Sequence, residues 1–219
     1  MYHYVTDKEY LKQTYSICAD IVNQLVQELK HYEIDAYMAT VGSKKRGLIT
    51  QNEKESIDYD FNLFIENADA FRADELKRRV MDAFNEVLNR NDWGDCQDST
   101  SALTTEQRVL KKGNKTPFSI DVAIVKEDAW GTLHRLIHRK TGIVAYDQWY
   151  WNMALNSQKL WDMEDYLKPK YWHKVKDAYL NKKNMYLTRN DYDHPSFVCY
   201  IEAVNEVYAQ VRRQNYFGF

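Results

Sequence analysis

"VGSKKRGLITQNEKESIDYDFNLFI", residues 41–65, sets a Gly-Ser pair ahead of a strand-like run whose only charges before Glu66 are Asp58 and Asp60. Ile57, Tyr59, Phe61 and Leu63 alternate with Asp58, Asp60 and Asn62, the period-two pattern of a strand with one apolar face. A strand over Ile57 to Ile65 puts both carboxylates on one side, about 6–7 Å apart along the chain. Two like charges that close raise each other's pKa unless a cation lies between them. A divalent ion is the usual remedy, and a few hard oxygen ligands with room left for water and phosphate suit Mg²⁺ better than Zn²⁺.

The spacing alone carries no weight. With 32 acidic residues in 219, about five acid-x-acid pairs arise by chance, and the chain has six. An isolated pair reads as the solvent face of a half-exposed strand. Context separates this pair from the others. Asp121 repeats the pattern, because "SIDYDFNLFI" and "SIDVAIV" each place Ser-Ile-Asp in a run of alternating apolar residues. If the two strands are neighbours, three aspartates share one edge of a sheet, and such a cluster can hold two metal ions about 4 Å apart. Upstream, Gly42 permits backbone amides to approach a phosphate closely, and Ser43 adds a hydroxyl donor at the expected start of a helix. Lys44, Lys45 and Arg46 follow directly, either steering an anion or solvating the loop.

On either side, helix and strand signals alternate. Thr6 and Glu9 have capping-box spacing, and Leu11, Cys18, Ile21, Val22, Leu25, Val26 and Leu29 recur as the apolar stripe of a long helix. Residues 34–41 read as a strand delivering the chain to Gly42, and residues 72–90 as a helix packed on the sheet. Residues 107–125 are expected to form a hairpin turning at "KGNK", and residues 133–151 another turning near Thr141-Gly142. Beyond about Asn152, Tyr166–Lys183 and Pro195–Arg213 read as helices. The fold class is therefore α+β, a mixed β-sheet lobe over residues 1–151 flanked by helices, with a C-terminal helical lobe over 152–219 packed against it. His134 and His138 have metal-pair spacing on a helix, but their segment reads as a strand, and no third ligand is evident.

Composition bounds the function classes. The chain is 44% hydrophobic and 28% charged, an ordinary globular balance. A formal net charge of −2 does not favour a nucleic-acid partner held by phosphate attraction, without excluding one. Cys18, Cys96 and Cys199 are odd in number and widely spaced, which argues against a disulfide framework or a zinc site. No stretch approaches the ~18 apolar residues of a membrane span, and "MYHYVTDKEY" lacks the apolar core of a signal peptide, so the expected location is the cytoplasm.

Gly42-Ser43, the acid-x-acid pair Asp58 and Asp60, and a third acid, Asp121, on a later strand resemble the motif of the nucleotidyltransferase superfamily related to DNA polymerase β. The segment "GSKKRGLIT", with its second glycine, is similar to the extended loop of bacterial and antiviral-type members, and the resemblance covers roughly residues 10–125. The 16 positions from Gly42 to Asp58 exceed the usual spacing by a few, an excess assigned to a polar surface loop over "QNEKES", residues 51–56. The resemblance implies an enzyme that moves a nucleoside monophosphate from a nucleoside triphosphate to a hydroxyl of a small-molecule or nucleotide acceptor, releasing pyrophosphate. Asp58 and Asp60 would bind two Mg²⁺ or Mn²⁺ ions, Asp121 would bind the catalytic one and help deprotonate the acceptor, and Gly42 and Ser43 would hold the nucleotide. Transfer to RNA or protein, and a nucleotide-binding scaffold without turnover, are the alternatives.

Overall fold

The computed structural model describes residues 1–154, 158–191 and 194–217. In chain order the elements are β1 (Tyr2–Tyr4), α1 (Lys8–Glu28), β2 (Ala36–Thr40), α2 (Gly42–Arg46), β3 (Thr50–Asn52), β4 (Ile57–Ile65) and α3 (Ala73–Arg90). Then come β5 (Gln97–Asp98), β6 (Leu103–Thr104), β7 (Phe118–Glu127), β8 (Leu133–Arg139), β9 (Gln148–Met153), α4 (Gln158–Leu167), α5 (Trp172–Thr188) and α6 (Ser196–Phe217). The chain divides into two compact units, Val5–Ile49 with Lys54–Ala154, and Met1–Tyr4 with Thr50–Glu53 and Leu155–Phe219.

The first unit is built on a seven-stranded sheet of order β2-β4-β7-β6-β5, with β8 on β7 and β9 on β8. Only β4 and β7 pair parallel; the other ladders are antiparallel, so the sheet is mixed and the fold is α+β. Parallel neighbours need a long crossover, and α3 lies within it. The stripe Leu76, Val80, Ala83, Phe84, Val87 and Leu88 of α3 is buried, as are Cys18, Ile21, Val22 and Leu25 of α1. They join one core with Ile57, Tyr59, Phe61 and Leu63 of β4 and Phe118, Ile120, Val122 and Ile124 of β7. Full burial of a side chain such as Phe61 or Phe84 contributes about 1.5–3 kcal/mol, so this core fixes which face of each strand looks away from the helices.

Four local expectations need correction, three of them ahead of the C-terminal helices. The cap of α1 is Asp7 rather than Thr6: Tyr10 N–H donates to Asp7 Oδ1 at 3.0 Å, and Asn114 Nδ2 donates to its other oxygen at 3.1 Å. A carboxylate at that position serves the free N–H groups and the positive helix end better than a hydroxyl. The 107–125 hairpin reduces to a single bridge, Arg108 to Phe118, because the lysine-rich first arm offers little alternating apolar surface to bury; Val109 is 54% exposed. In its place the two-residue β6 pairs with β7. The expected loop over 51–56 is shorter, since Gln51 and Asn52 belong to β3, and the turn begins at Glu53 with φ of 51°. The hairpin of β8 and β9 forms as expected.

The second unit holds α4, α5, α6 and the two-stranded β1-β3 sheet. Leu160, Met163, Leu167, Val175, Tyr179, Tyr200, Val204, Val207 and Val211 form its interior, and Tyr200 Oη donates to Glu164 Oε1. The sequence pattern shows one helix over Tyr166–Lys183, but the chain breaks between α4 and α5 at Pro169, which lacks an N–H and biases Lys168 away from helical geometry. Tyr4 Oη donates to Lys176 O at 2.7 Å, and Lys183 Nζ donates to Thr50 Oγ1 at 2.9 Å while lying 3.8 Å from the Tyr2 ring centroid. Those contacts fasten β1 and β3 to α5.

Candidate active site

All five residues singled out in the motif fall in the first unit, the three aspartates in the N-terminal half of the β4–β7 ladder and Gly42-Ser43 at the start of α2. Ile57 pairs with Phe118, so the two Ser-Ile-Asp triplets are offset by two positions. The offset sets Asp58 across from Ser119 and Asp60 across from Asp121, on strands about 4.8 Å apart. These residues, with Asn62, lie on the face opposite the helix-packed Tyr59, Phe61 and Ile120.

Each carboxylate has its own donor. Ser119 Oγ donates to Asp58 Oδ1 at 2.5 Å, Thr104 Oγ1 donates to Asp121 Oδ1 at 2.6 Å, and the Ser43 backbone N–H donates to the Asp60 carboxylate. The register explains the first two contacts, since Ser119 is the cross-strand partner of Asp58 and Thr104 of β6 is the partner of Asp121. Burial, then Asp121 and Asp58, push Asp60 up to about 6 against the opposing pull of Arg135 and the Ser43 amide. Asp121 is raised as well, by burial first and then by Asp58, with the Thr104 hydrogen bond opposing.

Gly42 is required here twice over. Its φ is +64°, and a Cβ at that position would lie 1.9 Å from Asp60 Oδ2. Val41 N–H donates to the Asp60 carbonyl at 3.0 Å, which ties the end of β2 to β4 at the acidic residue itself. The five-residue α2 starts at Gly42, and Arg46 Nη1 donates to the Gly42 carbonyl at 3.2 Å. Lys44 Nζ sits 4.6 Å from the Tyr15 ring centroid.

Four neighbours were not among the residues assigned to the site from sequence. Ser119 had a trace of signal as the first letter of the second Ser-Ile-Asp triplet. Thr104 had none, standing in a two-residue strand. Arg135 of β8 pairs with Val125 on the aspartate face, and its charge acts on Asp60. Asn62 is 6% exposed, and Asn62 Oδ1 and Arg135 Nε are buried without a hydrogen-bond partner among the described residues. The two histidines at metal-pair spacing go to separate duties: His134 Nε2 meets Asp128 Oδ2 at 3.1 Å, while His138 lies between Asp98 and Asp147.

The donor set fits a hard divalent cation. Three carboxylates share one sheet face, and Asp60 is raised first by burial and then by its two acidic neighbours, with Arg135 as the cation acting against that rise. Among the described residues no three His, Cys, Asp or Glu side chains are already drawn together as a cation cage, and hydroxyl and amide donors hold the carboxylates in place.

No protein-family model matches the chain, and no curated protein sequence does. Solved structures do. CdnC of Escherichia coli MS115-1 with ATP is similar at TM-score 0.54 and 14% identity, over 91% of this chain and 61% of that one. DncV of Vibrio cholerae, a cyclic AMP-GMP synthase in complex with the linear intermediate 5′ pppA(3′,5′)pG, is similar at TM-score 0.54 and 12% identity, over 80% of this chain and 47% of that one. The Elizabethkingia meningoseptica CdnE cyclic dinucleotide synthase with GTP and Apcpp gives TM-score 0.52 and 12% identity, over 86% and 68%. The chain thus has the nucleotidyltransferase fold that its motif resembles. It spans 61% and 45% of the lengths of the CdnC chain and of a second Vibrio cholerae DncV chain.

Proposed function

We propose that the protein is a metal-dependent nucleotidyltransferase that moves a nucleoside monophosphate from a nucleoside triphosphate to a hydroxyl of an acceptor and releases pyrophosphate. The observation that carries this reading is the β4–β7 register, which seats Asp60 beside Asp121, with the Gly42-Ser43 turn at the end of β2 packed onto Asp60. The names of the similar structures support a nucleotide as acceptor, since they include cyclic dinucleotide synthases with bound nucleotides and a linear dinucleotide intermediate.

Two divalent ions, when bound, supply positive charge to the triphosphate and ease ionisation of the acceptor hydroxyl. Asp58, Asp60 and Asp121 would hold them. Asp121 keeps Oδ2 for this task, because Oδ1 accepts from Thr104. The acceptor oxygen forms a bond to the α-phosphorus, the α–β bridge breaks, the acceptor proton passes to Asp121, and pyrophosphate leaves with the bridging oxygen. Gly42 leaves space for Asp60 at the turn, and Ser43 aligns its carboxylate through the backbone N–H. Such sites act by positioning and charge stabilisation, with no covalent enzyme intermediate.

Incubation with each labelled nucleoside triphosphate and Mg²⁺ or Mn²⁺, followed by chromatography of small products and gel analysis of protein and added RNA, tests this directly. Pyrophosphate release with a labelled nucleotide-sized product is expected. Label on RNA or protein would replace the acceptor class, and no release with any triphosphate would overturn the activity.

A further inference from the structure

We propose that Thr104 and Ser119 set which divalent cation the aspartates accept, by taking one oxygen each of Asp121 and Asp58 and so favouring Mg²⁺ over Ca²⁺. The inference rests on the metal-site reading above and concerns residues that the motif does not contain. Ser119 Oγ is 2.5 Å from Asp58 Oδ1 and Thr104 Oγ1 is 2.6 Å from Asp121 Oδ1, both hydroxyls donating. Thr104 is the ladder partner of Asp121 and Ser119 that of Asp58, so the register places each hydroxyl within reach of its carboxylate. Ser119 is 4% exposed, so water cannot readily replace the carboxylate as its acceptor.

The consequence follows from how the two ions coordinate. Ca²⁺ takes six to eight oxygens at about 2.3–2.6 Å and often uses both oxygens of a carboxylate, whereas Mg²⁺ requires six at about 2.0–2.1 Å and takes one oxygen per carboxylate. A carboxylate whose Oδ1 accepts from a hydroxyl presents Oδ2 as its freer oxygen. Two-oxygen coordination by Asp58 or Asp121 would compete with that hydrogen bond for Oδ1 and, at Ser119, weaken the contact of a buried donor. Thr104 and Ser119 are therefore positioning residues that act through the aspartates and do not themselves touch the ion.

The test measures Mn²⁺ binding to the whole chain by electron paramagnetic resonance, with displacement by Mg²⁺ and by Ca²⁺, on Thr104→Val, Ser119→Ala, the double variant and Thr104→Ser. Circular dichroism melts confirm folding, and if the double variant does not fold, the singles carry the test. The expected result is a shift of the relative Ca²⁺-to-Mg²⁺ affinity toward Ca²⁺ by about tenfold in the double variant, with Thr104→Ser keeping the parent ratio. A merely structural role would weaken both ions together and leave the ratio unmoved. An unchanged ratio in folded variants that still bind Mn²⁺ overturns this inference alone. A parent protein that binds no Mn²⁺, or binds it equally after Asp60→Asn, overturns the metal-site reading and this inference with it.

Discussion

Gly42 and Asp60 stand so close that a Cβ on the glycine would lie 1.9 Å from Asp60 Oδ2 and 2.6 Å from Asp60 Cγ. The Gly-Ser pair and the acid-x-acid pair are therefore one packed unit: the turn is shaped around a carboxylate, and the carboxylate is aligned by the turn's Ser43 amide.

Gly42→Ala should displace Asp60 as well as strain the backbone. Transferase activity is expected to fall by about a hundredfold or more, at about 1.4 kcal/mol per tenfold, with only a modest loss of melting temperature. Gly47→Ala is the control, because Gly47 has φ of +67° but nothing within 4 Å of its Cβ position. It should cost about 1–2 kcal/mol of stability and little activity. Equal activity losses in the two variants would show that loop strain, and not the contact with Asp60, is what matters.

Asp60→Asn should trade activity for stability in a pH-dependent way. Asp60 has a folded-state pKa of about 6 against an ordinary 3.8, so folding favours its protonated form. In chelator the parent loses stability as pH rises from about 4 to about 6 and stays at the lower level above that, by up to about 3 kcal/mol at 1.36 kcal/mol per pKa unit. Asparagine has no such titration. The variant should melt higher than the parent at pH 7.5 and nearly together with it at pH 4. Mg²⁺ should raise the parent's melting temperature more than the variant's. A stability difference that does not change with pH would contradict this account of Asp60.

Asp121→Asn keeps the Thr104 hydrogen bond, because the amide oxygen still accepts, but loses the charge and the proton acceptor. The folded variant is expected to lose at least about a thousandfold in kcat under saturating nucleotide and Mg²⁺, several kcal/mol of transition-state stabilisation. Retention of full transferase activity would remove Asp121 from the chemistry.

How far these features could be read beforehand depended on the range over which each signal acts. Seven residues of alternation, Ile57–Leu63, followed by the apolar pair Phe64-Ile65, gave β4 the bounds seen in the structure, Ile57–Ile65. The repeated Ser-Ile-Asp triplet pointed to a partner strand, but only the register shows that the offset places Ser119, rather than the second aspartate, beside Asp58. Thr104 was invisible because a two-residue strand has no periodicity and its pairing is imposed by β7. Asp7 and Thr6 are both good helix caps one residue apart, and tertiary contact with Asn114 helps decide between them. Pro169 was legible as a helix breaker, but the helix formers on either side outweighed it in the pattern.

His138 supplies the last prediction, because its spacing from His134 raised a metal site and its surroundings replace that with an ionic clamp. The ring is 6% exposed, its Nδ1 is 2.6 Å from Asp98 Oδ2, its Nε2 is 3.0 Å from Asp147 Oδ2, and it stacks on Trp149 at 4.2 Å between centroids. Lys77, 3% exposed, completes the group with Nζ 2.5 Å from Asp98 Oδ1 and 2.8 Å from the Ser99 carbonyl. Burial would raise the Asp98 carboxyl, but the Lys77 and His138 contacts outweigh it and hold Asp98 below the usual range. The stability Asp98 contributes is therefore present above pH 4 and lost as pH falls through its depressed pKa. Removing one member strands the others in a low-dielectric site, so Lys77→Ala should cost about 3–5 kcal/mol and His138→Ala about 2–4 kcal/mol by denaturant titration. His134→Ala removes a partly exposed pair with Asp128 and should cost much less than either of these. Any drop of the parent's melting temperature in chelator should come from the aspartates, be restored by Mg²⁺ and persist in His138→Ala. A large drop in chelator, restored by Zn²⁺ and absent in His138→Ala, would return the histidines to a metal role.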